Sequence, residues 1–349
     1  MLKGRRDYLL ICGPCSAESE QQVLSTAKEL IENVNIDIFR AGIWKSRTSP
    51  DNFEGVGSIG LEWLLKVKNE FNIPVATEII TPIHAEKCIT AGIDYLWIGA
   101  RTVVNPYTVK EIAEVIKGTK TKVMVKNPIY PDIKLWVGAI TRLEEANIND
   151  VIAIHRGFYP YYTTQYRNNP LWEIPIELKR IRQDIKIICD PSHIGGNTKF
   201  LKDIIQQALD LEMSGLMIES HNNPAKALSD SKQQIKPVDL KKLLDEITIR
   251  DNIFFDDEKI NFLRKEIDKI DDILLEKMAF RMRLVEEIGH HKKEKNITIL
   301  QGDRSRFLFK DRISKAEKLQ INKNFVKELM KAIQNEAVRI QVEIMKKKA

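Results

Sequence analysis

Residues 75–126 read VATEIITPIHAEKCITAGIDYLWIGARTVVNPYTVKEIAEVIKGTKTKVMVK, and two kinds of segment alternate within them. Short runs of apolar and β-branched residues are separated by longer segments of helical periodicity. The short runs are Val75–Glu78, Tyr95–Ile98 and Val123–Lys126, and the helical segments are Ala85–Ala91 and Thr108–Ile116. Apolar strands that alternate with helices are typical of a parallel sheet whose faces are covered by helices.

The same alternation extends over the first 250 residues. Further candidate strands are Tyr8–Cys12, Asp37–Arg40, Val151–His155, Lys186–Asp190 and Gly215–Glu219, and further candidate helices are Gln21–Asn33, Leu61–Phe71 and Lys199–Leu211. Eight β/α units in about 250 residues fit a (β/α)8 barrel of the α/β class better than an open sheet. A doubly wound fold with one or two miscounted strands is the alternative. We predict a barrel domain over residues 1–250.

The pattern changes after about Asp251. Acidic residues at 256–258 mark a helix start, and an apolar pattern of helical periodicity then runs from Ile260 to Ile288. Two more helices are expected, over about Asp303–Lys318 and Asn324–Lys347. We predict a linker over residues 251–257 and an all-α domain of three helices over residues 258–349. The first helix, about 35 residues long, would expose an apolar stripe unless it packs against a second copy.

Composition limits the class of protein. The 349 residues allow about two domains, and a 43% apolar fraction excludes disorder as the main state. The net charge of +6 permits acidic small-molecule substrates, but it is too dispersed to indicate nucleic acid. Four cysteines and an N-terminal apolar run too short for export predict a cytoplasmic protein. No apolar run approaches the roughly 18 residues of a membrane span.

The active sites of barrel enzymes lie at the C-terminal ends of the strands. In this sequence those positions carry charged residues, which are Arg40, Lys45, Glu78, Arg101, Lys126, His155, Arg156, Asp190, His193 and Glu219. One such residue alone could be a solvated strand-end charge. A ring of cations at one mouth instead indicates a substrate with phosphate and carboxylate groups.

Four residues at these strand ends are candidate metal ligands: Cys15, His193, Glu219 and Asp230. A thiolate, an imidazole and two carboxylates suit a first-row divalent ion such as Mn²⁺, Fe²⁺, Co²⁺ or Zn²⁺. Cys15 could instead be a small buried apolar residue. Residues 12–15 could also form a redox Cys-x-x-Cys pair, although that motif is expected to open a helix in a smaller fold.

Five motifs in the first 250 residues resemble those of a known family. They are Gly13-Pro14-Cys15-Ser16, Lys45-Ser46-Arg47-Thr48-Ser49-Pro50, Ile98-Gly99-Ala100-Arg101, Asp190-Pro191-Ser192-His193 and Ser229-Asp230. Their order and spacing are similar to those of 3-deoxy-D-arabino-heptulosonate 7-phosphate (DAHP) synthases of the short microbial subclass. The resemblance implies a metal-dependent barrel that joins phosphoenolpyruvate to erythrose 4-phosphate. Related synthases of 3-deoxy-octulosonate 8-phosphate use arabinose 5-phosphate, and they carry an Asn-Arg-Ser type segment at residues 47–49.

The resemblance also implies roles for individual residues. Arg101, Lys126 and Arg156 would bind phosphoenolpyruvate with Arg40 and Lys45 nearby. The sugar phosphate would be bound by Arg47, Thr48 and Ser49. Ala100 and Asp190 are further expected substrate-binding residues, and Lys45, Lys126 and His193 are the expected catalytic residues. A metal ion on Cys15, His193, Glu219 and Asp230, with Mn²⁺ the first expectation, would polarise the aldehyde. His155 precedes Arg156 where the family usually has an acid.

The helical part resembles the all-helical chorismate mutases over about residues 258–346. The matching residues are Arg264, Arg281, Lys292, Asp303-Arg304 and Gln341. The resemblance implies an intertwined dimer in which Arg264 of the partner, Arg281 and Arg304 bind the carboxylates of chorismate. Lys292 and Gln341 would donate hydrogen bonds to the breaking ether bond. Ser305 stands where the family usually has a Glu, and Gln301 and Ala337 also differ from common members.

The sequence therefore predicts a bifunctional enzyme of the shikimate pathway. It would form DAHP and phosphate from phosphoenolpyruvate and erythrose 4-phosphate, and it would convert chorismate to prephenate. We expect a homodimer or a larger oligomer, feedback inhibition of the synthase through the helical domain, and no nucleic-acid or membrane partner. In the alternative, the helical domain is a sensor and dimerisation module with little turnover. A nucleic-acid-binding helical tail is disfavoured by acids interspersed along the helices.

Overall fold

The computed structural model describes residues 8–46, 51–160, 164–250 and 257–346. Their contacts divide the chain into two compact units, Met1–Asn252 and Ile253–Ala349. Residues 251–256 of the expected linker lie outside the described residues.

The first unit is a closed barrel of eight parallel strands in sequential order. The strands are β1 (Leu9–Gly13), β2 (Ile38–Arg40), β3 (Val75–Ile79), β4 (Tyr95–Ile98), β5 (Lys122–Lys126), β6 (Ile152–His155), β7 (Lys186–Cys189) and β8 (Gly215–Glu219). Strand β1 pairs with both β2 and β8, from Leu9 opposite Gly215 to Gly13 opposite Glu219. This closure confirms the (β/α)8 prediction and excludes the doubly wound alternative.

Nine α-helices belong to the described part of this unit. They are α1 (Glu20–Val34), α2 (Ile59–Phe71), α3 (Pro82–Ala91), α4 (Pro106–Ile116), α5 (Ile133–Glu145), α6 (Glu173–Ile181), α7 (Pro191–Gly195), α8 (Leu201–Asp210) and α9 (Pro237–Asp245). Helix α3 begins three residues before the predicted start. There the Thr81 hydroxyl accepts a hydrogen bond from the His84 amide, and Pro82 occupies the first turn, where its missing N–H costs nothing.

Strand alternation divides the barrel core into two layers. Outward side chains such as Phe39 and Val125 pack under the helices, and inward ones such as Ile11, Trp97 and Met217 fill the barrel. Trp97 is fully buried, and the Arg40 guanidinium lies 4.7 Å above the centre of its ring. The apolar barrel interior therefore ends directly beneath a layer of charged side chains.

Gly13 brings the ends of β1 and β2 into close contact. A Cβ atom at this position would overlap the carbonyl oxygen of Arg40. Residue 13 therefore has no room for a side chain, and this close approach sets Cys15 beside Arg40, whose Nη2 lies 3.4 Å from the Cys15 carbonyl oxygen.

The second unit contains three helices: α10 (Glu258–Glu294), α11 (Gly302–Lys318) and α12 (Lys323–Lys346). Helix α10 is 37 residues long, and the Asp257 carboxylate caps it by accepting the Ile260 amide at 2.9 Å. This arrangement confirms the predicted all-α fold. Most of the large apolar residues of α10 are exposed, among them Ile260, Leu263, Ile267, Ile270, Leu274 and Leu284.

Candidate functional site

A cleft of about 220 Å³ opens at the C-terminal end of the barrel. It is lined by Lys45, Ser46, Glu78, Ala100, Arg101, Lys126, Ile129, Arg156, Tyr159, Arg167, Asn168, His193 and Asp230. Seven of the predicted site residues therefore share one cavity: Lys45, Ala100, Arg101, Lys126, Arg156, His193 and Asp230. Four others are buried and are not among its lining residues: Cys15, Arg40, Asp190 and Glu219. Arg47, Thr48 and Ser49, the predicted sugar-phosphate residues, lie outside the described residues.

The four candidate metal ligands meet in pairs. The Cys15 thiol donates to Asp230 Oδ2 at 3.3 Å, and His193 Nε2 lies 3.8 Å from Glu219 Oε1. Among the described residues, no group of three or more His, Cys, Asp or Glu side chains stands in metal-binding geometry. The four donors thus lie at the same end of the barrel, but they do not surround a common metal position in this arrangement.

The chemistry of these donors nevertheless fits a divalent cation. Glu219 is fully buried, and its Oε1 atom accepts no hydrogen bond, although Arg40 Nη2 lies 3.3 Å away. A buried carboxylate oxygen without a donor is costly, and a bound cation would satisfy it. Burial and Glu219 raise the pKa of the Cys15 thiol to about 12, against the effect of Lys45. A metal ion would have to displace the proton of this thiol on binding.

A lysine ammonium lies beside one of the candidate metal ligands. Lys45 Nζ lies 2.9 Å from Cys15 Sγ. Burial lowers the pKa of the Lys45 ammonium, but Cys15, Glu219 and Glu78 outweigh it and raise that pKa. Lys45 therefore stays charged at the mouth of the cleft.

Two adjacent glutamines, which the sequence analysis missed, orient the donors. Gln233 Nε2 donates to Glu219 Oε2 at 2.6 Å, and Oε1 is the oxygen that accepts no hydrogen bond. Gln234 Oε1 accepts the Cys15 amide at 2.9 Å, and its Nε2 donates to the Ser229 carbonyl at 2.7 Å. Both side chains are buried. Their one signal in the sequence is their position just after Asp230, which does not reveal these contacts.

Lys126 and Asp190 form a buried ion pair on the floor of the cleft. Lys126 Nζ donates to Asp190 Oδ2 at 3.0 Å, and His193 Nδ1 lies 2.8 Å from the same oxygen. Burial raises the pKa of the Asp190 carboxyl, but His193 and Lys126 outweigh it and hold the pKa well below its usual range. Asp190 thus remains ionised and compensates part of the positive charge of the cleft.

Arg156 has no direct ionic partner among the described residues, although Asp190 and Glu78 act on its charge from a longer distance. Its Nη1 donates to Asn168 Oδ1 at 2.8 Å and to the Gly157 carbonyl at 3.3 Å, and none of the described carboxylates forms an ion pair with it. Burial lowers the pKa of this guanidinium to about 10, so Arg156 is still a cation near neutral pH. A buried cation whose hydrogen-bond partners are all neutral is a ready binding site for an anion.

His155 does not take over the role of an acid beside Arg156. Its ring is fully buried among aromatic residues, 5.1 Å from the ring of Trp172. Burial and Arg156 lower the pKa of the imidazole to about 3, so His155 is neutral near neutral pH. The residue that departs from the family pattern therefore adds no counter-charge beside Arg156.

A second cavity, of about 140 Å³, lies within the helical unit. Its lining includes the predicted residues Arg281, Lys292, Arg304 and Gln341, together with Gln301, Ser305, Gln334 and Ala337. Lys292 Nζ donates to the Ile299 carbonyl at 2.6 Å. Gln341 is buried with an unpartnered Oε1 atom. Arg264, expected from a partner subunit, is exposed on α10 and is not among the described residues that line the cavity.

Gln334 is a further polar residue that the sequence analysis did not single out. Its Nε2 donates to Ser305 Oγ at 2.8 Å within the cavity. The position where related mutases usually carry a Glu thus holds a neutral hydroxyl–amide pair. The cavity wall combines three cations with neutral polar groups, which suits a small dianion.

Comparison with known protein families agrees with this geometry. The model of the DAHP synthetase I family matches residues 1–251, and that of chorismate mutase type II matches residues 263–342. The chain belongs to the DAHP synthetase I family. It combines a DAHP synthase domain with a chorismate mutase domain, as the sequence predicted.

Individual relatives of the DAHP synthase domain carry two different names. A phospho-2-dehydro-3-deoxyheptonate aldolase of Thermotoga maritima is 28% identical over 70% of this chain and 70% of its own length. A 2-dehydro-3-deoxyphosphooctonate aldolase of Rickettsia typhi is 29% identical over 70% of this chain and 92% of its own. The crystal structure of the Thermotoga maritima DAHP synthase superposes with a TM-score of 0.61 at 26% identity, covering 68% of this chain and 67% of that one.

The family generally uses a divalent metal ion, in accord with the donor chemistry at the barrel mouth.

None of the described helices is long and apolar enough to cross a membrane.

Proposed function

We propose that the barrel condenses phosphoenolpyruvate with erythrose 4-phosphate to give DAHP and phosphate, and that the helical domain converts chorismate to prephenate. The observation that carries the proposal is the barrel-mouth cleft, where cations that include the buried Lys126 and Arg156 stand near four metal-competent donors. Holding two anionic reactants together against their repulsion is what such a cleft can do.

In the condensation, Arg101, Lys126 and Arg156 bind the phosphate and carboxylate of phosphoenolpyruvate. Arg47, Thr48 and Ser49 bind the sugar phosphate. Carbon 3 of phosphoenolpyruvate attacks the aldehyde carbon, water adds at carbon 2, and phosphate leaves. Lys45 stands beside Cys15 and Asp230 with a charged ammonium that can stabilise negative charge as it develops on the aldehyde oxygen.

Cys15, His193, Glu219 and Asp230 would hold the metal ion, with Mn²⁺ as our first choice among Mn²⁺, Fe²⁺, Co²⁺ and Zn²⁺. When bound, the ion supplies Lewis-acid polarisation of the aldehyde. Gln233 donates to one oxygen of Glu219, and the other oxygen accepts no hydrogen bond, which supports this assignment. Asp190 orients the His193 ring from the opposite side, at 2.8 Å from Nδ1.

In the rearrangement, Arg281 and Arg304 bind the carboxylates of chorismate together with Arg264 of a second subunit. Lys292 and Gln341 donate hydrogen bonds to the ether oxygen as its bond breaks. The reaction requires no proton transfer, so binding the compact conformer and stabilising developing negative charge supply the catalysis. All of these substrates are small soluble anions, and the four cysteines are free thiols, which supports a cytoplasmic location.

We further propose a homodimer formed through α10, because its large apolar side chains are otherwise exposed. Sedimentation velocity should show a dimer at micromolar concentration. The variant Ile270→Glu should shift the protein toward monomer, since it places a charge within this apolar stripe. Ile83→Glu is the matched control, because Ile83 is equally exposed on α3 in the barrel. A monomeric wild type, or equal dissociation of the two variants, would contradict the proposal.

The decisive experiment is a paired assay of both activities on one purified sample, with prephenate and chorismate added as effectors. We expect both activities, and inhibition of DAHP synthesis by prephenate or chorismate bound to the helical domain. Unchanged synthase rates at effector concentrations where binding is demonstrated would refute feedback. Faster turnover with arabinose 5-phosphate than with erythrose 4-phosphate would refute the sugar assignment. Binding of chorismate without turnover would favour the sensor alternative.

A further inference from the structure

Asn168 forms hydrogen bonds with two parts of the barrel-mouth cleft, the Arg156 side chain and the main chain at His193. It lies in the segment between β6 and α6, and only 5% of its surface is exposed. Its Oδ1 accepts a hydrogen bond from Arg156 Nη1 at 2.8 Å, and its Nδ2 donates to the His193 carbonyl at 2.6 Å. The Asn168 backbone amide donates to the Ile194 carbonyl at 3.1 Å. This bond holds the main chain from which the Asn168 side chain extends.

The carbonyl of His193 determines which way the amide faces. Because a carbonyl oxygen only accepts hydrogen bonds, the NH₂ group of Asn168 must point toward it. The amide oxygen then necessarily points toward Arg156. An aspartate at this position would set a carboxylate oxygen against the His193 carbonyl and would also neutralise the guanidinium. An aliphatic residue would leave both the carbonyl and the guanidinium without this partner.

The position is also sterically defined. Gly157, directly after Arg156, has φ of +75°, and a Cβ atom there would stand 2.9 Å from Asn168 Cβ. Residue 157 therefore has no room for a side chain, and the two segments pack closely at this point.

The contrast with Lys126 shows why a neutral partner matters. The Lys126 ammonium is already paired with Asp190 at 3.0 Å, so part of its attraction for a substrate anion is cancelled. Arg156 has an amide and a backbone carbonyl instead. Arg156 thus keeps more of its attraction for an anion as long as its direct hydrogen-bond partners carry no charge.

We propose that Asn168 is a positioning residue that aims the Arg156 guanidinium into the cleft as a cation hydrogen-bonded only to neutral groups, and that it ties this guanidinium to the turn that carries His193. The proposal rests on the proposed function, in which Arg156 binds the phosphate or carboxylate of phosphoenolpyruvate. It assigns to Asn168 a selective effect on that substrate, distinct from any effect on the sugar phosphate.

The test compares Asn168→Asp and Asn168→Ala with wild type in the full-length, metal-loaded protein. Asn168→Asp should raise the KM and the calorimetric Kd for phosphoenolpyruvate by about tenfold or more, because it converts a neutral partner into a counter-charge. Asn168→Ala should raise both by less, since Arg156 loses its orientation but keeps its charge. The KM for the sugar phosphate should stay within about twofold in both variants.

The control is Asn105→Asp, which makes the same chemical change at the start of α4. There the Asn105 side chain caps the helix by accepting the Tyr107 and Thr108 amides, a role that aspartate also performs. It should leave both KM values unchanged. Thermal melting of every variant monitors folding, and Asn168→Ala keeps the test decisive if Asn168→Asp does not fold.

Unchanged phosphoenolpyruvate binding in the Asn168 variants would overturn the proposal. An equal loss for both substrates together with a lowered melting temperature would reduce Asn168 to a structural role and would overturn it as well. Calorimetry needs no turnover. A wild type that binds phosphoenolpyruvate but makes no product would therefore overturn the proposed function alone, and the comparison of Kd values would still test Asn168.

Discussion

Chelation of divalent metal should abolish DAHP synthesis, and Mn²⁺ should restore it, while conversion of chorismate to prephenate in the same sample continues. The synthase rate should fall by at least about a hundredfold, because polarisation of the aldehyde by a cation supplies several kcal/mol. The mutase serves as an internal control, since its cavity is lined among the described residues by Arg, Lys and neutral side chains. Continuous assays before and after dialysis against chelator measure both rates.

Two buried cysteines make this test specific. Burial raises the pKa of both the Cys15 and the Cys88 thiols to about 12, but Cys15 alone of the two lies beside Asp230 and Lys45. Cys15→Ala should therefore lose bound metal and synthase activity, and Cys88→Ala should lose neither. Metal content measured on the purified variants separates loss of the ion from loss of folding. Synthase activity that survives complete metal removal would defeat the metal assignment.

The barrel could be predicted from the sequence because the pattern of each strand and helix is consistent with the eight-stranded fold. Each strand is a short apolar run, and each strand end that faces the cleft carries a residue that would be costly to bury without a partner, such as Arg40, Lys126 or Glu219. The parallel arrangement then brings these ends to one mouth whatever the loops do. Motifs at strand ends therefore identified the charged lining of the cleft.

The supporting residues could not be predicted in the same way. Gln233, Gln234 and Asn168 are uncharged residues in irregular segments, where no periodicity marks them. Their roles depend on contacts across long sequence distances, such as that of Gln234 with the Cys15 amide. The same holds for Gln334, which meets Ser305 only because α11 and α12 pack together. The periodicity of a strand or helix predicts which of its faces a residue occupies. The partner that a loop residue contacts depends instead on the conformation of the loop.

In the helical domain, Arg281→Ala should lower kcat/KM for chorismate by at least about a hundredfold and leave DAHP synthesis in the absence of effectors intact. Burial and the neighbouring Arg312 lower the pKa of the Arg281 guanidinium, as expected for a cation that lacks a counter-charge until an anion binds. Removing it takes away one of the cations of the cavity, beside Lys292 and Arg304. Conversion of chorismate is followed directly by absorbance in wild type and variant.

Arg283→Ala is the matched control on the same helix. Arg283 is exposed, stacks over Phe280 at 5.6 Å, and does not line the described cavity, so its loss removes an equal charge from α10 without touching the site. Equal turnover of wild type, Arg281→Ala and Arg283→Ala would show that chorismate reacts elsewhere. Absence of turnover in all three, with chorismate still bound by wild type and lost in Arg281→Ala, would make the helical domain a sensor. Arg281→Ala is expected to change both the binding and the turnover of chorismate. Measuring both therefore distinguishes an active mutase domain from a sensor domain that binds chorismate without converting it.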